Sequence, residues 1–545
     1  MVSARQPCVV ATFDLKPDVV LMPDGRIVAL FVRTEEGSQE VAVRTSADDG
    51  YSWGEAESLL RLPEEPGGWA GPMGLVDRDG ELHLFLLNDA HTGVVRTGEQ
   101  RQRALPMDQL RLDLWHIKSK DGTTGWQSPK RIWKGYTGAL NSVIQLRSGK
   151  IIVPFSRFTN RHWADHTGSL YDDYSFTGQY ESTAVYSDDS GDTWLLSPSA
   201  LRVPTPNLYA YGADEPVILQ LRDGRVWMLL RTQLGRHYES FSEDGVTWSS
   251  PWPSRFIASD SPAGIVRLPD GRIVLIWNNC LRFPYALGGR HVIHAAISAD
   301  DGASWRGYRE VFRDPRRKEP VPKKGDFGTA YPFPAVTGEG KVLLTTGQGE
   351  ARVAGVLIDP EWLEETAQED DLSQGLEQWT CFGTRGVELV AHPDRASSRA
   401  LRIRKTDEGW PAAAVWNFPN GIRGSLQASL LFRGGFAGAH LGLTDHYSVP
   451  FDQEDVLYNV FNLPVGPEGT LPGAGVAQTD RWHALELDWN LDKRECQVLM
   501  DDRPLAVLPQ LRQSTGVCYL RLKCLAEKTD EAGFLVGSVR CDVAS

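Results

Sequence analysis

EPVILQLRDGRVWMLLRTQLGRHYESFSEDGVTW (residues 215–248) is the stretch from which the fold is read. PVILQL and RVWMLLRT are short apolar, β-branched runs separated by RDG (222–224), a two-strand hairpin signal, and HYESFS follows after a Gly-containing loop as a third strand. The unit closes on SEDGVTW (242–248). Hydroxyl and carboxylate side chains there can tie down the amides of a tight turn, Gly accepts positive φ, and the indole is a large apolar plug.

This turn-locking pattern recurs. SADDGYSW (46–53), SDDSGDTW (187–194) and SADDGASW (298–305) are full copies, and SKDG (119–122) with Trp126 is a distorted one. A second marker runs in phase with it. Hairpin turns ending in Gly occur at 23–25, 78–80, 147–149, 222–224, 269–271 and 338–340, at periods of 47 to 75 residues. Two alternating markers at such a period imply repetition of a four-stranded unit about an axis. Six turns give six blades, an all-β, six-bladed β-propeller over residues 1–360. Its last unit (333–359) has only three strands, so the early strand PCVVATF (7–13) is expected to supply the fourth and remove an exposed sheet edge. Residues 361–371 read as a short acidic helix and linker. From 372 to 545 the chain alternates in short strands without locked turns, as a separate β-sandwich of lectin or jelly-roll type.

Composition agrees and narrows the function. A chain of 545 residues exceeds one ordinary core, and 18 Trp, 53 Gly and 33 Pro suit many short strands joined by tight turns. A formal net charge of -14 disfavours nucleic acid and anionic membrane as partners and requires a local cationic pocket for any anionic substrate. Seven Cys without CxxC spacing argue against a disulfide framework and a zinc site. With no apolar leader visible, the chain as written reads as soluble and cytoplasmic; a leader removed beforehand would make it secreted or periplasmic. Oligomeric state is not legible.

Strand order indicates where a site must lie. If the Asp-Gly hairpins and the locked turns share one face of the ring, first-strand starts, second-strand ends and third-strand starts converge on the other. First-strand starts offer Lys16, Asp18, Asn141, Asp214, Glu215, Ser261 and Tyr331; second-strand ends offer Arg33, Asn88, Asp89, His91, Arg157, Arg231 and Asn278; a third-strand start adds Arg290. Convergence of ionisable groups from distant sequence is the mark of a functional site.

The locked turn resembles the Asp-box (S-x-D-x-G-x-T-W) of the sialidase superfamily, over roughly residues 1–360. The resemblance implies an exo-acting glycoside hydrolase for a terminal acidic sugar, with no cofactor or metal. It implies Tyr331 as nucleophile, Glu215 as the group that takes its proton, and Arg231 and Arg290 as two members of an arginine triad gripping a carboxylate. Lys16, in FDLKP (13–17), stands where the first arginine is expected, and the segment 32–40 holds Glu35, Glu36 and Glu40 but no Asp where the family places its acid/base. Glu36, Asp89 and His91 are the remaining acid candidates; His91, Arg157 and Asn278 are candidate substrate-binding residues beside Lys16.

A carboxylate nucleophile would be repelled by the acid group of a 2-keto sugar acid, whereas a neutral phenol activated by Glu215 avoids that repulsion. Other readings stand beside this one: a glycosidase or lyase for a uronic acid or pentofuranose, or a carbohydrate-binding propeller without catalysis. Glu215 with Arg231 also reads as a buried ion pair, Tyr331 as a packed ring and Lys16 as a rim charge. The long insertion at 157–180 carries Arg161, His162, Asp165 and His166, which could line a substrate rim; the two histidines lack a third ligand.

Overall fold

The computed structural model describes residues 5–91, 96–97, 100–101, 111–160, 178–206, 210–281, 289–318, 328–348, 353–382, 386–447 and 455–544. The architecture is all-β. Six four-stranded antiparallel sheets occupy the first two thirds of the chain. The fourth is Asp214–Gln220, Val226–Arg231, Arg236–Ser242 and Trp252–Ile257, the three strands read from sequence plus a short outer one. The sixth takes Phe333–Val336, Val342–Thr346 and Val353–Ile358, and its fourth strand is Cys8–Phe13, paired antiparallel from Cys8 opposite Leu357 to Phe13 opposite Val353. Sheets consecutive in sequence pack together, and the last packs on the first: Thr345 donates to Pro17 O at 2.9 Å and Gly74 N donates to Asp18 at 2.7 Å. The arrangement fits a propeller.

The locked turns are built from local bonds. In the first, Gly50 N and Ser52 N donate to Ser46 Oγ (2.9 Å) and Asp48 Oδ1 (2.8 Å), Ser46 Oγ donates to Asp48, and Trp53 Nε1 donates to Gly50 O at 2.9 Å. These hydroxyl and amide donors hold the Asp48 carboxyl below its ordinary value. The same set recurs at Ser187 and Asp189, and at Ser298 and Asp300. Hairpin and locked turns share one side: Gly338 N donates to Asp49 at 2.8 Å and Arg222 N to Asp301 at 2.7 Å. The first-strand starts are thereby directed to the opposite side.

After a short helix, Pro360–Glu364, residues 367–370, expected in a linker, instead form a strand (Ala367–Asp370) paired with Phe534–Val543. The apolar period is too short there for the reading to have seen it; the partner strand, 170 positions on, supplies the register. That strand belongs to an eight-stranded sheet, which shares one apolar core with a five-stranded sheet around Trp379, Trp416 and Trp489. The two parts of the chain are joined through buried groups. Asn417 accepts from Glu310 N at 2.8 Å and donates to Tyr308 O and Cys518 O, both at 3.1 Å, and Tyr519 OH donates to Glu310 at 2.6 Å. Tyr447, Cys518 and Tyr519 complete an apolar cluster with Trp277, Trp305 and Tyr308. Among the described residues no helix is long and apolar enough to cross a membrane.

Ser187→Ala would strand the buried Gly191 amide and remove one contact to the exposed Asp189 carboxylate. The expected cost is about 1–3 kcal/mol in chemical denaturation, with the spectrum of the folded state unchanged.

Candidate functional site

The site is assembled around Arg231, at the end of a second strand and only 4 % exposed. Its Nη1 pairs with Glu215 Oε2 and reaches Tyr331 OH at 3.1 Å; Nε donates to Asp260 Oδ1 at 2.7 Å; Nη2 donates to Tyr211 OH at 2.7 Å. Tyr211 OH in turn donates to Asp260 Oδ2 at 2.7 Å, and Gln233 Nε2 donates to Asp260 Oδ1 at 3.0 Å. Of the five guanidinium N–H groups, four are therefore engaged by protein. Tyr331 OH donates to Glu215 Oε1 at 2.9 Å. One carboxylate thus meets the phenol with one oxygen and the guanidinium with the other.

Two backbones are held in left-handed conformations to achieve this, Glu215 at φ 39 and Tyr331 at φ 56. Such positions cost about 1–3 kcal/mol each in a non-glycine residue and persist only where surroundings over-determine them. For Tyr331 the clamp is Lys16, whose Nζ donates to Ala330 O (3.3 Å) and Tyr331 O and lies 4.9 Å from the Tyr331 ring and 4.2 Å from the Phe333 ring. Behind Glu215, Asp214 accepts from Ser156 Oγ and, at 2.9 Å, from Glu215 N. A Cβ on Gly138 would collide with both Ser156 Oγ and Asp214, so this position has to lack a side chain.

Arg290 is fully buried and approaches from the fifth sheet. It donates Nη2 to Asp260 O at 2.8 Å and Nη1 to Gln348, with its guanidinium 5.4 Å from the Tyr331 ring. A cavity of about 420 Å³ opens against this cluster, bounded by Lys16, Met73, Leu140, Tyr331, Phe333 and Gln348. Its walls are largely apolar with a few polar groups, Lys16, Tyr331 and Gln348 among them, the form small-ligand sites take.

Burial sets the electrostatics. Desolvation, helped by Glu215, raises the Tyr331 phenol, so it rests neutral. Lys16 keeps part of its surface open, yet it sits deep enough that desolvation pushes its ammonium well below the usual lysine range. Asp214 is raised to about 7 by desolvation and by the neighbouring Glu215, and Asp18 to about 7 by desolvation.

The sequence candidates divide accordingly. Glu215, Arg231, Arg290, Tyr331 and Lys16 come together. Asn278 is engaged elsewhere: it accepts from Ser261 Oγ at 2.7 Å and donates to Val292 O (2.8 Å) and Thr329 O (2.9 Å), stapling the fifth sheet to the start of the sixth unit. Arg157 leaves its strand on the face opposite Ser156 and pairs with Glu181 at 3.1 Å, beside Arg202. Glu36 sits at an exposed hairpin tip, since the strands Ile27–Glu35 and Ser38–Ser46 are joined by Glu36 and Gly37 alone. Asp89 is half-buried at the end of its strand. The His91 side chain and residues 161–177, with Arg161, His162, Asp165 and His166, lie outside the described residues. Sequence reasoning missed Tyr211, Asp260 and Gln348. Gln348 lies two residues past the second strand of the sixth unit, while Arg231 ends the second strand of the fourth. Asp77, Glu81 and His83 could offer three metal-ligand atoms, but Lys118 already lies 3.5 Å from Glu81 as a cation, and His83 is bonded to His116 at 2.9 Å.

Residues 25–344 match the BNR repeat-like domain family, and the chain belongs to that family. Among its relatives is a sialidase of Micromonospora viridifaciens, 25 % identical over 323 residues, a match covering 53 % of this chain and 44 % of that protein. The chain therefore spans less than half the length of that relative. Similar solved structures include a protein of unknown function from Dyadobacter fermentans (TM-score 0.47, 19 % identity, covering 65 % of this chain and 98 % of that one). Another is the Trypanosoma rangeli sialidase in complex with 2,3-difluorosialic acid (TM-score 0.42, 14 % identity, covering 98 % and 91 %).

Two outcomes test this geometry. Asp260→Ala leaves a buried guanidinium half-paired and should lower stability by about 3–5 kcal/mol in denaturant unfolding, with Asp260→Asn costing less. The native Asp18 and Asp214 carboxyls hold protons up to about pH 7, whereas unfolded ones release them near 3.8. The native state thus binds more protons between those values, so stability should fall as pH rises from about 4 to 7, and Asp214→Asn, permanently neutral, should flatten part of that slope.

Proposed function

We propose that this protein is an exo-acting glycoside hydrolase for a terminal acidic sugar, built as a six-bladed propeller with a lectin-like C-terminal sandwich. The observation that carries the reading is the Tyr331 OH to Glu215 Oε1 bond of 2.9 Å with Arg231 Nη1 bridging both. Glu215 takes the phenolic proton as Tyr331 attacks the anomeric carbon and the glycosidic C–O bond breaks, the leaving oxygen taking its proton from solvent; water then displaces the sugar from Tyr331, which recovers its proton from Glu215, and Arg231, 3.1 Å from the phenol oxygen, offsets the charge that develops there. A neutral resting phenol supports an anomeric centre that carries its own carboxylate. Lys16 lines the cavity, and Arg290, buried 5.4 Å from the Tyr331 ring, adds fixed positive charge behind it. Sialidases, with a Tyr nucleophile, are exceptions to the two-carboxylate rule of glycosidases, and the relative named sialidase supports the same class here.

A second reading, a sugar-binding propeller without turnover, is favoured by the hairpin at Glu36 and Gly37, which leaves no loop for an acid at the place where the resemblance implies one. Lys16 holding the Tyr331 carbonyl, where an arginine would present a fork, favours a sugar acid other than sialic acid.

A panel of aryl glycosides separates these readings. Release from a sialoside or other acidic glycoside is expected. Glu215→Gln should lower kcat by about 10²–10⁴-fold and Tyr331→Phe by at least as much, with folding intact. Full activity in Tyr331→Phe removes the assigned nucleophile, and saturable binding with no release by the wild type selects the second reading.

A further inference from the structure

Asp214 is a buried carboxyl that the proposed chemistry leaves unused. It is 4 % exposed and precedes Glu215, and in a regular strand two successive side chains point to opposite faces. Here they do not. Where Asp214–Gln220 pairs with Val226–Arg231, Asp214 faces Arg231 and Val217 faces Leu229, so two residues on one strand oppose one on the other. With Glu215 at φ 39, this is a bulge of the kind that re-aims side chains. A Cβ on Gly138 would lie 2.5 Å from Asp214 Oδ1 and 3.3 Å from Glu215 Cγ, which puts both side chains against the same bare Cα. Ser156 Oγ donates to Asp214 Oδ1 and accepts from Glu215 N at 3.3 Å, while Tyr331 OH donates to Glu215 Oε1 at 2.9 Å.

The charges around this pair do not balance when every carboxyl is ionised. Three buried carboxyls, Asp214, Glu215 and Asp260, face two buried guanidiniums, Arg231 and Arg290. Desolvation depresses the Lys16 ammonium, and it is the main cause that raises the nearby Tyr331 and Tyr136 phenols, which rest neutral. One proton removes the excess negative charge. Glu215 and Asp260 are each paired with Arg231, whereas the printed donors to Asp214 are the Ser156 hydroxyl and the Glu215 amide, so the proton belongs on Asp214. Its carboxyl is accordingly raised to about 7, by desolvation first and then by Glu215.

We propose that Asp214 is a positioning residue that sets the basicity of Glu215: protonated, it leaves the cluster balanced and admits an acidic sugar; ionised, it drives the negative charge of Glu215 outward onto the Tyr331 oxygen. This rests on the reading of Tyr331 and Glu215 as the reacting pair. The reacting proton still passes from Tyr331 OH to Glu215 Oε1 and back, and the proton on Asp214 is exchanged with solvent. Like charges repel, so an ionised Asp214 favours a transfer that moves charge from its neighbour to the phenol. The same charge opposes an incoming carboxylate. For an acidic glycoside, kcat and KM therefore rise together as Asp214 loses its proton.

The test is the dependence of kcat and KM on pH, from about pH 5 to 9, for the acidic aryl glycoside that the full chain releases fastest. Both are expected to rise about three- to tenfold across one step near neutrality. Asp214→Asn, permanently neutral, should remove that step from both profiles. Ser156→Ala withdraws a donor that favours the charged form and should move the step up by about half a pH unit or more, which keeps the test open should Asp214→Asn not fold. Asp18→Asn removes the other carboxyl raised to about 7 near the cavity and should leave the step in place. Calorimetric titration with N-acetylneuraminate and with D-glucuronate, in two buffers of different ionisation enthalpy, reads the same proton without turnover. At about pH 7.5, binding should take up protons in the wild type and none in Asp214→Asn. Release with the step unchanged in Asp214→Asn, or binding without proton uptake, overturns the role of Asp214 alone. Absence of release from every acidic glycoside overturns the reading on which it rests.

Discussion

A guanidinium buried to 4 % exposure has to find its acceptors inside the protein, and this requirement at Arg231 organises the whole site side of the ring. Glu215 lies on the same sheet, Asp260 on the loop leading to the fifth, Tyr211 on the segment before the fourth, and Tyr331 at the start of the sixth unit. Asp260 and Tyr331 are in place only once the fourth, fifth and sixth units have packed. Satisfaction of one side chain therefore reports on closure of half the ring, and the left-handed backbones of Glu215 and Tyr331 are tolerated because that closure leaves no alternative.

The same logic explains residues that resemble site residues without joining the site. Asn278, just past a second strand, and Thr345, within one, bond instead to backbone carbonyls, Asn278 to Val292 of its own sheet and to Thr329 before the sixth unit, Thr345 to Pro17 before the first, and act as staples. Lys16 combines the two behaviours. Its ammonium holds the carbonyls of Ala330 and Tyr331, which binds the first unit to the last, and its open surface faces the cavity. Desolvation works against its charge, so the fixed positive charge around Tyr331 rests mainly on the buried Arg290 and Arg231.

Charge pairing in this cluster leaves little net field when the cavity is empty. Arg231 is matched by Glu215 and Asp260, Asp214 is raised to about 7 by its burial, and the Tyr331 phenol rests neutral. A buried, charge-balanced cluster with aligned donors is what electrostatic preorganisation requires, because the donors need not reorient when charge appears on the phenol oxygen.

What could be read from sequence follows from how far each bond reaches. A locked turn is made within eight residues, Ser46 to Trp53, by side chains that bond to the backbone beside them, so five copies announce themselves and fix the all-β repeat and the side on which the turns lie. The strand Cys8–Phe13 was legible because the last unit lacked a partner. Glu215, Arg231, Arg290 and Tyr331 were legible through equivalence of strand ends and through the resemblance. Gln348 obeyed the same strand-end rule in the sixth unit and was overlooked. Tyr211 and Asp260 obey no periodic rule: they lie in irregular segments, and only the three-dimensional demand of one buried guanidinium, 20 positions from the first and 29 from the second, selects them. Arg157 was misdirected for a related reason. Strand ends name which residues reach the site face, but the alternation of side chains across the sheet decides which of two neighbours turns inward, and here Ser156 holds the inward position.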